Sequence, residues 1–255
     1  MERKSKEQEQ FVSRRMVVKI GSSTITRDGS PLNLEFMDGV AKQVSKLFES
    51  EVQVVIVSSG AVACGRKLLS ELGLELGNTI LDNQRAAVFG QPELIAQWKA
   101  AFKRYGVLAG QQLLVDDHLE NGGKVLEASL SDGVVIINQN DAVSDTEMKQ
   151  FLISADNDKL AEYVARFINA DTLLLLTDVD GVLDENGEVL THVDRVEDIE
   201  DLIKTSGQGT GGMWTKCIQA KQAARDGRRA IIANGREADV ILRIARDENV
   251  GTRFI

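Results

Sequence analysis

The stretch Thr172-Leu173-Leu174-Leu175-Leu176-Thr177 is the most apolar segment of the chain and predicts a strand that is buried on both faces. Other short apolar runs predict further strands, at Met16–Ile20, Val52–Val57, Val107–Val115, Val134–Asn138, Ala230–Ala233 and Gly251–Ile255. Between them, apolar residues at helical spacing predict helices, at Leu34–Ser50, Ala61–Glu71, Gln84–Tyr105 (broken near Gly90-Gln91-Pro92), Gly123–Asp132, Asp156–Asn169, Val196–Lys204, Met213–Asp226 and Ala238–Arg246. This alternation predicts an α/β fold, a three-layer αβα sandwich around a largely parallel sheet.

The composition excludes several classes of protein. The chain has 255 residues, 43% of them hydrophobic, and a formal net charge of −9, which argues against a nucleic-acid partner. No apolar run is long enough to span a membrane, and Met1–Arg15 lacks the apolar core of a signal peptide. We therefore expect a cytoplasmic protein with no membrane contact. Residues 1–15 are expected to form a polar N-terminal extension that is disordered or weakly helical. Cys64 and Cys217 match no metal spacing and are expected to be free thiols in the core.

Polar side chains follow the predicted strands at the point where each strand ends. In open parallel sheets, ligands bind beyond the carboxyl ends of the strands, so these segments are the places to look for chemistry. They are Lys19-Ile20-Gly21-Ser22-Ser23, Ser58-Ser59-Gly60-Ala61, Asn138-Gln139-Asn140-Asp141 and Thr177-Asp178-Val179-Asp180-Gly181. Taken singly, each is also compatible with an ordinary turn or helix cap.

The segment Gly209-Thr210-Gly211-Gly212-Met213-Trp214-Thr215-Lys216 suits a polyphosphate. Glycine lets backbone N–H groups approach an anion, a helix N-terminus adds unpaired donors, and Lys216 adds a charge in the first turn. It lacks the spacing of a Walker A loop, and a glycine-rich helix cap is the alternative.

Other catalytic patterns are missing from the sequence. The chain contains no Ser-His-Asp set, and His118 and His192 lie in polar loops, where we interpret both as bystanders. The Asp178-Val179-Asp180-Gly181 segment lacks the later ligand positions of a calcium loop. No metal ligands are identified from the spacing of residues.

Six segments taken together resemble the amino acid kinase superfamily, and within it the glutamate 5-kinase subfamily. They are Val17–Ser23, Val57–Val62, Ile136–Asp141, Asp156–Leu160, Leu175–Gly181 and Gly209–Lys216, and Gln84–Gln91 also resembles that subfamily. The match runs from about Met16 to Ile255. It implies one kinase domain at residues 16–255, with an acid-substrate half at about 16–150 and a nucleotide half at about 151–255.

The resemblance implies transfer of a phosphoryl group from ATP, with Mg²⁺, to the γ-carboxylate of L-glutamate, the first step of proline biosynthesis. Lys19, Lys216 and Asp158 are then the catalytic residues, with Asp158 orienting the two lysines. The substrate-binding residues are Ser59, Gly60, Asp141 and Asn157. The nucleotide-binding residues are Lys19, Thr177, Asp178, Thr210, Gly211, Gly212, Met213, Trp214, Thr215 and Lys216.

The sequence departs from the family pattern at three places. Gln139 stands where glutamate is commoner, Ser154-Ala155 replace a pair that usually ends in glycine, and Trp214 replaces a small residue. These departures keep open a related kinase for another small carboxylate, phosphate or phosphonate, and a non-catalytic amino-acid-binding regulator. The resemblance further implies a homodimer or homotetramer built through the helices that flank the sheet. Because Gly251–Ile255 resemble the last strand of the kinase domain, a C-terminal PUA domain is not expected.

Overall fold

A computed structural model describes residues 10–27, 30–114, 119–143, 157–205 and 212–255. Within these ranges the strands are Arg15–Ile20 (β1), Gln53–Ser58 (β2), Ala109–Leu114 (β3), Val134–Gln139 (β4), Thr172–Thr177 (β5), His192–Val193 (β6), Arg229–Asn234 (β7) and Thr252–Phe254 (β8). They form one sheet in the order β3-β4-β2-β1-β5-β7-β8-β6. Neighbouring strands are parallel except for the β7–β8 pair, so the predicted parallel core is confirmed.

The helices alternate with the strands along the chain, as the sequence predicts. They are Ser22–Ile25 (α1), Leu34–Glu49 (α2), Ala61–Glu71 (α3), Ile80–Lys103 (α4), Leu119–Ser129 (α5), Asn157–Phe167 (α6), Glu200–Thr205 (α7), Gly212–Arg225 (α8) and Val240–Ala245 (α9). A 3₁₀ turn at Val196–Ile199 leads into α7. Two short elements, α1 and β6, were not predicted, because four-residue and two-residue segments show too little periodicity.

Alternation along the strands divides the core into two apolar layers. In β1, Met16, Val18 and Ile20 point to the layer that contains α2, α4 and α9, whereas Val17 points to the layer that contains α5, α6 and α8. Both faces of the sheet are therefore covered, and the predicted three-layer αβα sandwich is confirmed. Lys19 is two residues after Val17 and therefore lies on the same face of β1, towards α6 and α8.

The predicted break in α4 at Gly90-Gln91-Pro92 is wrong, because the helix runs unbroken from Ile80 to Lys103. Pro92 has no N–H to donate to the Val88 carbonyl. Because Pro92 and Val88 are both exposed, water can donate to that carbonyl instead. Gly90 lets α4 lie against α3, since a Cβ there would sit 1.9 Å from the Ala61 carbonyl oxygen. The glycine therefore marks a close helix–helix contact.

The two cysteines are free and buried, as predicted, Cys64 in α3 and Cys217 in α8. Burial raises the pKa of each thiol to about 12, so both stay protonated at neutral pH. No helix among the described residues is both long and apolar enough to cross a membrane.

The described end of the N-terminal extension contacts both α9 and the sheet. The Val12 N–H donates to the Ala245 carbonyl at 2.9 Å, and the hydroxyl oxygens of buried Ser13 and Thr172 lie 3.1 Å apart. Residues 1–9 lie outside the described ranges. The domain boundaries at 15/16 and near 150 remain predictions.

Candidate active site

The polar strand ends meet at one edge of the sheet. Because β1, β2, β4 and β5 are parallel, their carboxyl ends emerge on the same side. Helices α6 and α8 begin close to this edge. Asp158, in the first turn of α6, contacts both Lys19 and Lys216, which is the fifth residue of α8. The candidate site is therefore framed by four strand ends and two helix N-termini.

A buried carboxylate joins two lysines at the centre of this edge. The Lys19 Nζ lies 2.6 Å from the Asp158 Oδ1, and the Lys216 Nζ donates to the Asp158 Oδ2 at 2.9 Å. The Asp158 side chain is 1% exposed, and the lysine side chains are 5% and 13% exposed. A carboxylate between two ammonium groups offsets their mutual repulsion, so both cations can face one small volume. We name Lys19, Asp158 and Lys216 the lysine–aspartate cluster.

The glycine-rich segment leads into α8 as predicted, but only part of it is described. Gly212 is the first residue of α8, while Thr210 and Gly211 lie outside the described residues. The Thr215 hydroxyl donates to the Gly212 carbonyl at 3.0 Å, and the Lys216 Nζ lies 3.4 Å from the same oxygen. The backbone N–H groups at this helix start and the Lys216 ammonium suit an anion.

Met213 and Trp214 turn towards the core rather than the edge of the sheet. The Met213 side chain is buried, and the half-buried Trp214 packs against the apolar layer that contains α6 and α8. The indole therefore has an apolar surface to rest on. Any contact that Met213 makes with a nucleotide would come from its backbone.

A chain of neutral hydrogen bonds lies beside the lysine–aspartate cluster. The Asn157 Nδ2 donates to the Ser59 Oγ at 2.7 Å and to the Asn138 Oδ1 at 3.2 Å. Asn138 is buried, and its Nδ2 donates to the Gln91 Oε1 at 2.7 Å. We name Ser59, Asn157, Asn138 and Gln91 the amide chain. The structure thus joins the predicted residues Ser59 and Asn157 and adds two that the site prediction missed.

The turn after β2 holds Ser59 in place. Its N–H donates to the Ile20 carbonyl at 3.0 Å, and the Trp98 Nε1 donates to the neighbouring Ser58 Oγ at 3.1 Å. Gly60 has φ +106°, and a Cβ there would lie 2.7 Å from the Ile25 Cγ2. Glycine is therefore required at Gly60, and α3 starts directly after it with its backbone donors at the edge of the sheet.

The other predicted site residues flank these two groups. Asp141 lies in the turn after β4, with its N–H bonded to the Gln139 carbonyl at 3.0 Å. Thr177 ends β5, and its hydroxyl donates to the carboxylate of exposed Asp178 at 3.3 Å. The Gly235 N–H donates to the Thr177 carbonyl at 2.8 Å, which ties this corner to the end of β7. The structure places all three residues along the edge of the sheet.

The histidines and the acidic side chains define no metal centre in the described part of the chain. No group of three or more His, Cys, Asp or Glu side chains there is arranged to hold a metal ion. His192 is an exposed residue of β6 at the outer end of the sheet, and His118 falls outside the described ranges. Ser154-Ala155 also fall outside them.

Comparison with known proteins gives consistent matches. Residues 14–234 match the model of the amino acid kinase family. The chain is 39% identical to the glutamate 5-kinase of Shewanella amazonensis, covering 95% of this chain and 66% of that protein. It is 37% identical to the glutamate 5-kinase of Thermoanaerobacter sp. strain X514, covering 94% and 68%. The chain therefore spans about two thirds of the length of these curated relatives.

A solved structure extends the comparison to the fold. The UMP kinase from Bacillus anthracis superposes with a TM-score of 0.63 at 15% sequence identity, covering 95% of this chain and 96% of that chain. At that identity the likeness concerns the fold alone. The sequence match over residues 14–234, together with the sheet and the lysine–aspartate cluster, shows that the chain belongs to the amino acid kinase family.

Proposed function

We propose that the protein is a glutamate 5-kinase, which transfers the γ-phosphoryl group of ATP to the γ-carboxylate of L-glutamate and produces glutamyl 5-phosphate. The observation that carries this proposal is the position of the lysine–aspartate cluster next to the amide chain. Consecutive residues at the start of α6, Asn157 and Asp158, belong to these two groups. The names of the relatives described above support the same reaction.

The proposed chemistry needs no general base. The γ-carboxylate of glutamate is ionised at neutral pH and can attack the γ-phosphorus directly, while ADP leaves. Catalysis then consists of holding the two substrates in line and neutralising the charge on the transferred group. Lys19 and Lys216 supply that neutralisation from two directions, and Asp158 orients both lysines.

The acid substrate is proposed to lie against Ser59, Gly60, Asn157 and Asp141. The Ser59 hydroxyl and the backbone donors at the start of α3 suit the α-carboxylate. The Asp141 carboxylate suits the α-ammonium group. The γ-carboxylate then points to the lysine–aspartate cluster.

The nucleotide is proposed to lie across Thr177, Asp178 and the 210–216 segment. The backbone N–H groups at the start of α8 and the two lysines fit its phosphates. Magnesium neutralises phosphate charge when it is bound. Since the described residues offer no three-ligand group, we propose that ATP oxygens supply much of its coordination.

A coupled assay of ADP release tests the function. L-Glutamate, L-aspartate and N-acetylglutamate are compared at equal concentrations with ATP and Mg²⁺. We expect turnover with L-glutamate and little with the other two. Preferential turnover of another acid would support a related acid kinase instead. Tight glutamate binding without turnover would support a regulator.

We also propose a homo-oligomer that is built through a sheet-flanking helix. The first half of α4 exposes large apolar side chains, with Leu81, Val88 and Phe89 each more than half exposed. Exposed apolar clusters of this kind are typical of protein–protein contacts. Light scattering of the purified protein measures the mass directly, and a mass of one chain would contradict the proposal.

A further inference from the structure

We propose that Gln91 is a positioning residue. By accepting from buried Asn138, it stabilises the rotation of the Asn138 amide that decides which atoms of the acid-substrate site donate hydrogen bonds and which accept them. Gln91 lies on α4, outside the strand ends and helix starts that form the rest of the site. The inference rests on the proposed function, because it assigns a role in the binding of L-glutamate.

The argument starts at a backbone group whose polarity is fixed. The Gln139 N–H donates to the Asn138 side chain at 2.9 Å. A backbone N–H can only donate, so the Asn138 atom that faces it must be the amide oxygen. The Asn138 Nδ2 then faces the other way. Because Asn138 is 1% exposed, that donor needs a protein partner.

Gln91 is the partner that this donor finds. The Asn138 Nδ2 donates to the Gln91 Oε1 at 2.7 Å. The opposite rotation of the Gln91 amide would bring two NH₂ groups together. The observed rotation leaves the buried Gln91 Nε2 without a hydrogen-bond partner among the described residues, which is unfavourable by itself. Gln91 therefore gives the buried Asn138 Nδ2 its acceptor, and so stabilises the rotation of Asn138 that the Gln139 N–H selects.

On its other side, Asn138 sets the polarity of Asn157. The Asn138 Oδ1 also accepts from the Asn157 Nδ2, and the same nitrogen donates to the Ser59 Oγ. Both hydrogens of the Asn157 amide are then engaged. The Asn157 Oδ1 is left as an acceptor, and the Ser59 hydroxyl, having accepted one bond, can donate its own hydrogen.

This polarity fits an α-amino acid. The Ser59 donor suits a carboxylate oxygen, and the Asn157 Oδ1 joins the Asp141 carboxylate as an acceptor for an ammonium group. A reversed Asn157 would place an NH₂ group where the ammonium should bind. Gln91 thus acts on the substrate through Asn138 and Asn157.

Helix α4 is anchored closely enough to deliver Gln91 to this position. Gly90 allows the close contact with Ala61 in α3, and Trp98, two turns after Gln91, donates to the Ser58 Oγ at 3.1 Å. The helix is therefore attached to the ends of both β2 and β4.

Steady-state kinetics of three variants test the proposal. Gln91→Met keeps the length of the side chain and removes the acceptor, Gln91→Glu keeps an acceptor oxygen, and Gln97→Met is the matched control on the same helix. Among the described residues, the Gln97 side chain donates to Glu93 on its own helix, at 2.7 Å. The KM for L-glutamate, the KM for ATP, kcat and Tm are measured for each variant.

For Gln91→Met we expect the KM for L-glutamate to rise about five- to a hundredfold, the range expected for leaving a buried donor unpaired. The KM for ATP and kcat should stay within about threefold of the wild type, by the same reasoning, since neither depends on that donor. Gln91→Glu should restore most of the glutamate affinity. Gln97→Met should behave like the wild type.

Two results would overturn the role of Gln91 in an active enzyme. One is an unchanged KM for L-glutamate in Gln91→Met. The other is a parallel loss in both KM values and kcat that Gln91→Glu does not repair, which would indicate a packing role. If Gln91→Met does not fold, Gln91→Glu decides alone, because a large rise in its KM for L-glutamate contradicts the acceptor role. Absence of L-glutamate turnover and binding in the wild type would instead reject the proposed function.

Discussion

The lysine–aspartate cluster and the amide chain lie side by side, yet they use different chemistry. The first consists of three full charges, with Asp158 almost completely buried between two ammonium groups. The second consists of neutral amides and a hydroxyl, and its Asn157 is held by Ser59 and Asn138. Both begin at the first turn of α6.

The difference matches what each group is proposed to do. Stabilising a phosphoryl group in transfer requires charge, because negative charge moves during the step. Recognising an amino acid requires donors and acceptors in fixed places, because the ligand keeps its charges unchanged. We therefore expect variants of the cluster to affect kcat and variants around the amide chain to affect KM.

The largest effect is expected from removing a cluster lysine. Lys216→Ala should lower kcat by on the order of a hundredfold or more, because it removes stabilisation of charge in the transition state. The KM for L-glutamate should change little. Initial rates at saturating ATP, measured over a range of L-glutamate concentrations, give both quantities.

The control for this variant is Lys221→Ala on the same helix. Lys221 contacts the carbonyls of Asp194 and Ile255 and lies outside the candidate site. A kcat in Lys216→Ala equal to that of the control would remove Lys216 from the mechanism.

An intermediate effect is expected at Asp141, on the KM for L-glutamate rather than on kcat. Asp141→Ala should raise the KM for L-glutamate about ten- to a hundredfold, the range for losing a hydrogen bond to a charged group. Its kcat at saturating glutamate should stay close to that of the wild type. Asp132→Ala, in the exposed turn before β4, is the control. A rise only in the KM for ATP would show that the substrate assignment is wrong.

The smallest effect is expected at the second buried acid of α6. Glu162 lies one turn beyond Asp158. The Arg166 Nε is 4.0 Å from its Oε1, and that oxygen accepts no hydrogen bond from the described residues. Burial raises the pKa of Glu162 above its ordinary value of 4.5, with Asp226 adding to the rise, while Arg166 and Arg228 oppose it. Relative to the unfolded chain, the folded state therefore favours the protonated form of Glu162.

The direction in which stability changes with pH follows from proton binding. Between the ordinary and the raised pKa of Glu162, the folded protein binds more protons than the unfolded chain, so stability decreases as the pH rises. Glu162→Gln removes this contribution. The urea midpoint of the variant relative to the wild type should therefore increase from about pH 4 to about pH 7. Glu71→Gln, on the exposed end of α3, is the control, and a constant difference across this range would contradict the raised pKa.

Much of the fold could be predicted because each strand is a compact apolar run. The predicted bounds of the strand at 172–177 and of the helix at 61–71 match the structure. The break expected in α4 was wrong because glycine and proline can also occur within a continuous helix. Gly90 serves helix packing, and Pro92 sits on an exposed helix face.

The site could be predicted only in part. Ser59, Asn157, Asp158 and the two lysines follow strand ends or start helices, so the topology rule and the family resemblance both point to them. Asn138 and Gln91 lie in segments that stand out in the sequence, but neither was assigned to the site. Their contact depends on the position of α4 over the sheet, which no local pattern specifies. Thr210 and Gly211 lie outside the described residues, and their role remains a proposal.

The adjacency of Asn157 and Asp158 sets a covalent limit on the spacing of the two substrates. Consecutive Cα atoms are separated by a fixed distance of about 3.8 Å, and side chains of neighbouring helical residues diverge by about 100°. One peptide unit thus joins the residue that the proposed function places against L-glutamate to the residue that it places between the two lysines. Under the proposed function, a change in the length of the acid substrate would therefore be made around Asp141 and would leave the start of α6 unchanged.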